Sequence, residues 1–299
     1  MTKKQYIEFC SGNPDVPVFS HGFWLDAVSD HWEVAVHMEK GKVLGVLPYC
    51  LKGHLLTKRI YIPELTPYSG PVLFYPEKMN EYDRRSFEKK VLSNLIDQLP
   101  DKIYKASIKC YPEIDNWLPF YWKGFKQTGR YTYLLDTAHS TETLFSNLKD
   151  AHQRQIRKAE KAKIAIKKNI DETGLFDLFA QTFVRQKTKT PFTKDPLENI
   201  YTAVKQSGGG EIFVAQNRSG ELLAAMFVVW DRKTMYYLLG YFDDEQANSG
   251  AITYLFWHCI QLAKEKKLSF NFEGSMIEGI EQYFRGFGGK LTPVHFLTK

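Results

Sequence analysis

The stretch that decides the fold runs from Tyr236 to Lys290 and reads YYLLGYFDDEQANSGAITYLFWHCIQLAKEKKLSFNFEGSMIEGIEQYFRGFGGK. Its apolar pattern predicts a strand, a loop of small and polar residues, a helix beginning near Ser249, a second strand and a short helix that closes at Gly286 to Gly289. The start of a helix leaves backbone N–H groups unpaired and carries partial positive charge. The loop before this helix is therefore a candidate phosphate-binding site.

Upstream of this stretch the pattern predicts a three-stranded meander that follows four helices and one short strand. The strands are Glu211 to Gln216, Leu222 to Trp230 and Thr234 to Tyr241. The helices are Thr141 to Leu148, Ala151 to Lys163, Thr173 to Lys187 and Pro196 to Gln206, with the short strand Ile164 to Ile170 after the second. Arg154, Lys158 and Lys161 share one face of the second helix, which either neutralises phosphates or is an ordinary solvated surface.

The first half of the chain predicts a separate mixed sheet. Glu33 to Met38 and Val43 to Leu51 are typical of a hairpin, and the periodicity of Tyr82 to Leu99 predicts a helix that Pro100 ends. Further strands are predicted at Ile103 to Lys109 and Gly129 to Asp136. Placing the boundary in the linker that follows gives two domains, 1–138 and 139–299.

Composition sets limits on the class of protein. A chain of 299 residues with 43% hydrophobic and 25% charged residues is long enough for two globular domains. A net charge of +6 suits an anionic partner, and it does not choose among CoA, a nucleotide, RNA and lipid phosphate.

Cysteine and histidine usage predicts no metal site. The four cysteines form no C-x-x-C pair, and the eight histidines are dispersed, so neither a zinc site nor a disulfide framework is expected. The longest notable apolar run, Leu222 to Trp230, is far shorter than the roughly 20 residues that span a bilayer. We therefore expect no membrane span and a cytoplasmic location.

The loop Gln246 to Ala251 resembles the Q/R-x-x-G-x-G/A loop with which the GNAT superfamily of CoA-dependent acyltransferases holds the CoA pyrophosphate. Ser249 stands at the first glycine of that pattern. The resemblance implies acetyl-CoA or another acyl-CoA as donor substrate, with no covalently bound cofactor. The donor-binding residues it implies are Gln246, Asn248, Ser249, Gly250 and Ala251, and Gly240 or a neighbour would supply a backbone N–H to the acyl oxygen. Alternatively, Ser249 is only a helix N-cap.

Two further segments resemble the Fem-type branch of that superfamily, the peptidoglycan-bridge aminoacyltransferases and their relatives. Asn271 to Ser275 followed by Tyr283 to Gly288 is similar to the end of those proteins, and Val18 to Ser20 with Trp24 is similar to their start. The basic segment Asp150 to Ala159 is similar to the helix that opens their second domain. The resemblance implies an α/β fold with mixed α+β character. It would consist of two tandem GNAT-like domains, each a mixed, mostly antiparallel sheet flanked by helices.

Three residues near the C-terminus are the catalytic candidates implied by this resemblance. Tyr283 would protonate the leaving thiolate, although its spacing to Gly286-Phe287 is one residue shorter than the usual Y-x-x-x-G-F; alternatively it is a core aromatic. Arg285 resembles the lysine of the Fem-type F-K-x-x-F-G motif, or is a surface residue. Glu273, at the end of a strand, would accept the proton of the incoming amine, or would anchor the turn at Gly274.

Four residues are candidates for contact with the acceptor. Tyr68, Arg185 and Gln186 could line a crevice because their side chains make directional polar contacts, or could be ordinary exposed residues. Ser275 would bind substrate or cap the helix after it.

Three functions remain open from the sequence. The first is transfer of an acyl group from an acyl-CoA-type donor to an amine, in an inter-domain or C-terminal-domain cleft. The second is an aminoacyl-tRNA-dependent, Fem-like transferase acting on a cell-wall precursor, although no long helical hairpin is visible between Thr190 and Ser249. The third is a non-catalytic module that binds an anion.

Overall fold

The fold is described by a computed structural model that covers residues 1–54, 57–168, 174–185, 187–243, 247–274 and 276–299. The chain divides into two units, each described here by itself. Unit 1 comprises Met1–Arg130 with Pro293–Lys299, and unit 2 comprises Tyr131–Thr292. The predicted limits of two GNAT-like domains, 1–138 and 139–299, stay a prediction.

Helices occur in both units. They are α1 Lys3–Gly12, α2 Gly22–Val28, α3 Glu81–Asp97, α4 Leu118–Trp122, α5 Thr141–Ser146, α6 Asp150–Lys161, α7 Leu175–Arg185, α8 Lys194–Ser207, α9 Ala251–Glu265 and α10 Glu278–Arg285. Short 3₁₀ turns at Val18–Ser20 and Ala247–Ser249 precede α2 and α9. Over the described ranges, no helix combines the length and apolar character needed to cross a bilayer.

Strands also occur in both units, partly in consecutive runs. They are β1 Trp32–Glu39, β2 Lys42–Lys52, β3 Arg59–Tyr61, β4 Val72–Leu73, β5 Lys105–Lys109, β6 Lys126–Leu135, β7 Ala165–Lys168, β8 Gly210–Gln216, β9 Leu222–Trp230, β10 Thr234–Phe242, β11 Ser269–Asn271 and β12 Lys290–Thr298.

Unit 1 contains the predicted hairpin, since β1 and β2 pair antiparallel from Trp32 to Glu39. Lys40 and Gly41, at its turn, have φ of 48° and 77°, which is typical of a two-residue hairpin loop. β3 and β4 each pair antiparallel with β2, and β3 pairs parallel with β5. The predicted apolar face of α3 is buried in the core that covers this sheet.

Unit 2 contains a mixed sheet in the strand order β6-β11-β10-β9-β8-β7. The pair β10–β11 is parallel, and the other neighbouring pairs are antiparallel. The predicted fold class, a mostly antiparallel mixed sheet with flanking helices, is confirmed. α9 begins at Ala251, two residues after the predicted start near Ser249, because Gly250 takes a left-handed conformation that a helix cannot include.

The core of unit 2 is organised around Phe256 of α9, which is 1% exposed. The centroid of its ring lies 4.9 Å from the ring centroid of Tyr237 on β10, 5.9 Å from that of Phe284 on α10 and 5.0 Å from that of Phe287 beyond α10. The ring of Phe272, which follows β11, is 5.8 Å away. One side chain therefore joins α9 to the two parallel strands and to the C-terminal helix.

We expect Phe256→Ala to lower the free energy of unfolding of unit 2 by about 3–5 kcal/mol, because it removes a large buried ring and leaves a cavity. Urea unfolding followed by circular dichroism measures this. Leu291→Ala is the matched control, since Leu291 is 49% exposed, and it should change stability by less than about 0.5 kcal/mol. An equal effect of the two substitutions would contradict the central position of Phe256.

Candidate functional site

The candidate site is built on one edge of β10. β10 pairs with β9 from Met235 to Phe242, but with β11 only over Thr234–Tyr236. β11 ends at Asn271, opposite Tyr236, so the two parallel strands part after this pair. Among the described residues, the backbone of β10 beyond this point has a strand neighbour on one side alone. Its other side is available for hydrogen bonds to side chains or to a ligand.

A β-bulge lies where β10 leaves β11. Tyr237 and Leu239 are opposite neighbouring residues of β9, so Leu238 is an extra residue in β10. A bulge bends its strand and re-aims the backbone groups. The carbonyl of Gly240, two residues later, accepts a hydrogen bond of 3.0 Å from Thr182 Oγ1 of α7.

Gly240 is the predicted source of a backbone donor, and the structure gives a reason for glycine at this position. The hydroxyl of Tyr237 occupies the place that a Cβ at residue 240 would take. Tyr237 packs on Phe256 and Phe284, and burial raises the pKa of its hydroxyl. Sequence reasoning did not single out Tyr237. The signal was available, because strand periodicity distinguishes the two faces of β10.

Tyr283 faces the interior of unit 2 from α10. Its hydroxyl lies 3.0 Å from Thr253 Oγ1, in the first turn of α9. The ring centroid of His152 lies 4.8 Å from that of Tyr283, and His152 Nε2 is 2.9 Å from the Tyr283 carbonyl oxygen. Burial raises the pKa of Tyr283, so the hydroxyl stays protonated at neutral pH. This geometry is compatible with both predicted roles, the proton donor and the core aromatic.

Glu273 follows β11 in a left-handed backbone conformation with φ of 61°. Its N–H donates to Asn271 Oδ1 (2.9 Å), and the same oxygen accepts from Thr132 Oγ1 (2.6 Å). Both carboxylate oxygens of Glu273 are buried. The Asn271 amide therefore anchors this turn, a role that sequence reasoning did not assign. A non-glycine residue at positive φ carries strain that the surroundings must hold in place.

Arg285 lies on the outward face of α10. Its side chain is 61% exposed and pairs with Glu281 at 3.6 Å. Residues two apart on an α-helix point in nearly opposite directions, so Tyr283 faces inward while Arg285 faces outward. Counted back from Phe287-Gly288, the lysine of F-K-x-x-F-G falls at Phe284, which is 5% exposed. A catalytic role of Arg285 stays a prediction, and α10 carries no cation at the inward position.

The loop before α9 is closed on one side by α6. Gly250 has φ of 83°, and the place that its Cβ would take lies against the backbone carbonyl of Gln155. The N–H of Ala251 donates to Ser249 Oγ at 3.3 Å. Ser249 precedes the N-cap of α9, which is Gly250, and no side-chain hydrogen bond caps this helix among the described residues, so the alternative N-cap role of Ser249 is wrong. Asn248 is exposed. Helix packing is thus one reason for glycine at 250, while the N-terminus of α9, whose first turn carries no acidic residue, still suits an anion.

α6 presents cationic side chains beside this loop. Its contact with Gly250 is made through Gln155, whose Oε1 is buried and has no hydrogen-bond partner among the described residues. Arg154 and Lys158 flank Gln155 and are exposed. The inner face of α6 is buried, and it comprises His152, Ile156 and Ala159.

The remaining candidates lie elsewhere. Tyr68, in unit 1, is fully buried between the rings of Phe19 and Tyr111, so it belongs to an aromatic core and corrects the expectation of an exposed crevice residue. Arg185, at the end of α7 in unit 2, lies over the ring of Tyr241 at 4.8 Å. Three candidates lie outside the described residues, namely Gln186, Gln246 and Ser275.

We expect Gly250→Ala to destabilise the protein more than Gly208→Ala. Both glycines have positive φ, 83° and 68°, where a side chain costs about 1–2 kcal/mol. At Gly250 the backbone carbonyl of Gln155 occupies the place that an added Cβ would take. At Gly208 no atom lies within 4 Å of an added Cβ. Urea unfolding compares the two variants, and equal losses would show that α6 does not pack as described.

We also expect stability to fall as the pH decreases below about 6.5. Burial lowers the pKa of His152, whereas an unfolded histidine titrates near 6.5. The unfolded chain therefore binds a proton more readily, and its protonation favours unfolding at acidic pH. The free energy of unfolding should change less between pH 7.5 and pH 5.5 in His152→Gln than in the wild type. His139→Gln, at an exposed position, should keep the wild-type difference, and an unchanged pH response of His152→Gln would contradict this account.

Residues 146–285 match the family model described as "Acetyltransferase (GNAT) domain". A search of curated proteins gave no match. The crystal structure of FemX matches with a TM-score of 0.76 and 16% identity, covering 99% of this chain and 96% of that one. The C-terminal domain (DUF2156) of a putative lysylphosphatidylglycerol synthetase from Agrobacterium fabrum matches with a TM-score of 0.61 and 12% identity, covering 99% of this chain and 92% of that one. A tandem GNAT protein from the clavulanic acid biosynthesis pathway matches with a TM-score of 0.52 and 11% identity, covering 100% of this chain and 94% of that one.

The structural matches extend over almost the full length of both chains, while their identities are 16% or lower. Similarity of this kind shows a common fold and leaves the substrates open. The matched GNAT segment contains β10, its bulge and α9, which are the elements on which the candidate site is built. The chain therefore has the Fem-type tandem GNAT-like fold, and its residues 146–285 match a GNAT acetyltransferase domain.

Proposed function

We propose that unit 2 transfers an acyl group from an acyl-CoA donor to an amine. The observation that carries this proposal is the parting of β10 from β11 after Tyr236, with a bulge at the point of separation. An extended thioester arm can add to an open strand edge by backbone hydrogen bonds, as peptides do. The N-terminus of α9 would then hold the phosphates of the same donor.

The backbone of the bulge would stabilise the oxygen of the acyl group. As the amine attacks, the carbonyl oxygen becomes negative, and a fixed N–H aimed at it lowers the barrier. Gly240 and its neighbours in β10 are the proposed donors. Because the Tyr237 hydroxyl and the Thr182 hydroxyl both contact Gly240, the backbone there is held in place before a substrate binds.

Proton transfer would use Glu273 and Tyr283. The amine forms the new C–N bond, the C–S bond breaks, and the proton lost by the amine replaces the acyl group on the sulfur. Glu273 would take that proton from the attacking nitrogen and then release it to the departing sulfur, to which Tyr283 would donate a hydrogen bond. Since burial raises the pKa of Tyr283, full transfer of its proton to a thiolate is unfavourable in this environment. The hydroxyl acts best as a hydrogen-bond donor.

An aminoacyl-tRNA donor is the second candidate, favoured by the similarity to FemX and by the exposed basic side chains of α6. It requires no CoA loop, which agrees with the packing of Gln155 against Gly250. Phe284 in place of the motif lysine argues against the Fem-type mechanism. A protein that only binds an anion is the third.

Titration calorimetry with acetyl-CoA and with charged tRNA, each followed by an assay on a panel of amines, distinguishes these candidates. Binding of acetyl-CoA and acylation of an amine support the proposal. Aminoacyl transfer from charged tRNA alone would replace it with the second candidate. Binding of either donor without turnover on the panel would leave an anion-binding protein.

We expect Tyr283→Phe to lower kcat about 10- to 100-fold, which is less than the roughly 100- to 10,000-fold of full general acid catalysis, because the hydroxyl only donates a hydrogen bond. The melting temperature should change little, because the ring and its packing remain. Tyr254→Phe is the matched control, since it removes a hydroxyl from α9 on the half-exposed side of the helix, and it should retain wild-type turnover. An unchanged kcat in Tyr283→Phe would remove this residue from the mechanism.

A further inference from the structure

Unit 1 carries a shallow cavity that the proposed chemistry does not use. One face of α3 and the segment 115–122 enclose about 510 Å³. Large apolar side chains line it while remaining open to solvent: Tyr82 is 80% exposed, Trp122 54% and Leu118 49%. Exposed apolar side chains that cluster in this way commonly mark a binding surface. The arrangement of the polar groups around them indicates what kind of ligand the cavity fits.

A buried carboxylate fixes the walls of this cavity. Glu88 of α3 is 1% exposed and accepts hydrogen bonds from Tyr75, Arg84, Arg85 and Asn116 at 2.9–3.0 Å. Asn116 belongs to the segment that carries the exposed aromatic residues. The network therefore holds this segment against α3 before any ligand arrives, which reduces the entropy that binding would lose.

The charges around the cavity cancel. Arg85 makes two parallel hydrogen bonds with Asp115, of 2.6 and 3.0 Å, and pairs with Glu81 and Glu88 as well. The ammonium of Lys89 lies 5.3 Å from the ring centre of Trp122. Arg84 pairs with Glu88. The cluster therefore holds three cations, Arg84, Arg85 and Lys89, and three carboxylates, Glu81, Glu88 and Asp115. Such a cluster produces little net field, so it does not favour an anion or an acidic surface.

We propose that this cavity binds a neutral oligosaccharide. The face of a pyranose ring is a set of C–H groups, which suits the negative face of an aromatic ring such as Trp122. The edge of the same ring carries neighbouring hydroxyls, which suit planar groups held at fixed angles, here the Arg85 guanidinium and the Asp115 carboxylate. A membrane surface instead requires apolar side chains backed by an excess of cations. The concave shape and the balanced charges therefore favour the sugar.

Saturation-transfer NMR and calorimetry on the full chain test this proposal, with maltotriose, cellotriose and triacetylchitotriose as neutral probes. We expect saturable binding of at least one trisaccharide. Trp122→Ala should weaken that binding at least tenfold, while Tyr104→Ala, which removes an aromatic residue 77% exposed and outside the cavity, should retain it. Both substitutions are at exposed positions, and matching circular dichroism spectra confirm that the variants fold.

Three outcomes would overturn the proposal. The first is that no trisaccharide of the panel binds the wild type. The second is that Trp122→Ala binds the sugar as well as the wild type does. The third is that sedimentation with phosphatidylcholine vesicles, or titration with a proline-rich peptide, shows binding that depends on Trp122 while the sugars do not bind.

Discussion

The short pairing between β10 and β11 is the constraint on which the rest of unit 2 depends. Parallel strands that stay together would bury the backbone of β10 in a ladder on both sides. Here the ladder ends after Tyr236 and Asn271, and two different devices stabilise the resulting gap. Phe256 packs against side chains of both strands from α9, and the Asn271 amide closes the turn that removes β11 from the sheet.

Neighbouring residues of α10 face either the core or the solvent. Tyr283 and Phe284 point into the aromatic core, whereas Arg285 pairs with Glu281 on the surface. At the inward position next to Tyr283, Phe284 is 5% exposed. A buried cation there would need a partner to offset its desolvation, and an aromatic ring has no such requirement.

The sequence predicted the elements of unit 2 closely because their periodicity is strong. The meander, α6 and α9 lie within a few residues of their predicted limits, and the order of elements carried the resemblance to the GNAT fold. α4 was not predicted, since five residues give too short a pattern to identify a helix. The outward direction of Arg285 could not be predicted, because a motif gives residue types, while helix geometry decides which of two nearby side chains faces inward. Tyr68 was misplaced because a tyrosine beside a turn looks exposed in sequence, and only tertiary packing shows that it lies between two rings.

The contact between Gln155 and Gly250 has a consequence for how small a fragment of unit 2 can be made. α6 precedes the sheet of unit 2 in the chain, yet its backbone carbonyl lies where a side chain on the loop before α9 would be. A fragment that begins at β7 would keep every strand named in the meander and lose the surface that shapes this loop. A fragment of unit 2 must therefore start no later than Asp150 if the loop before α9 is to keep its neighbour.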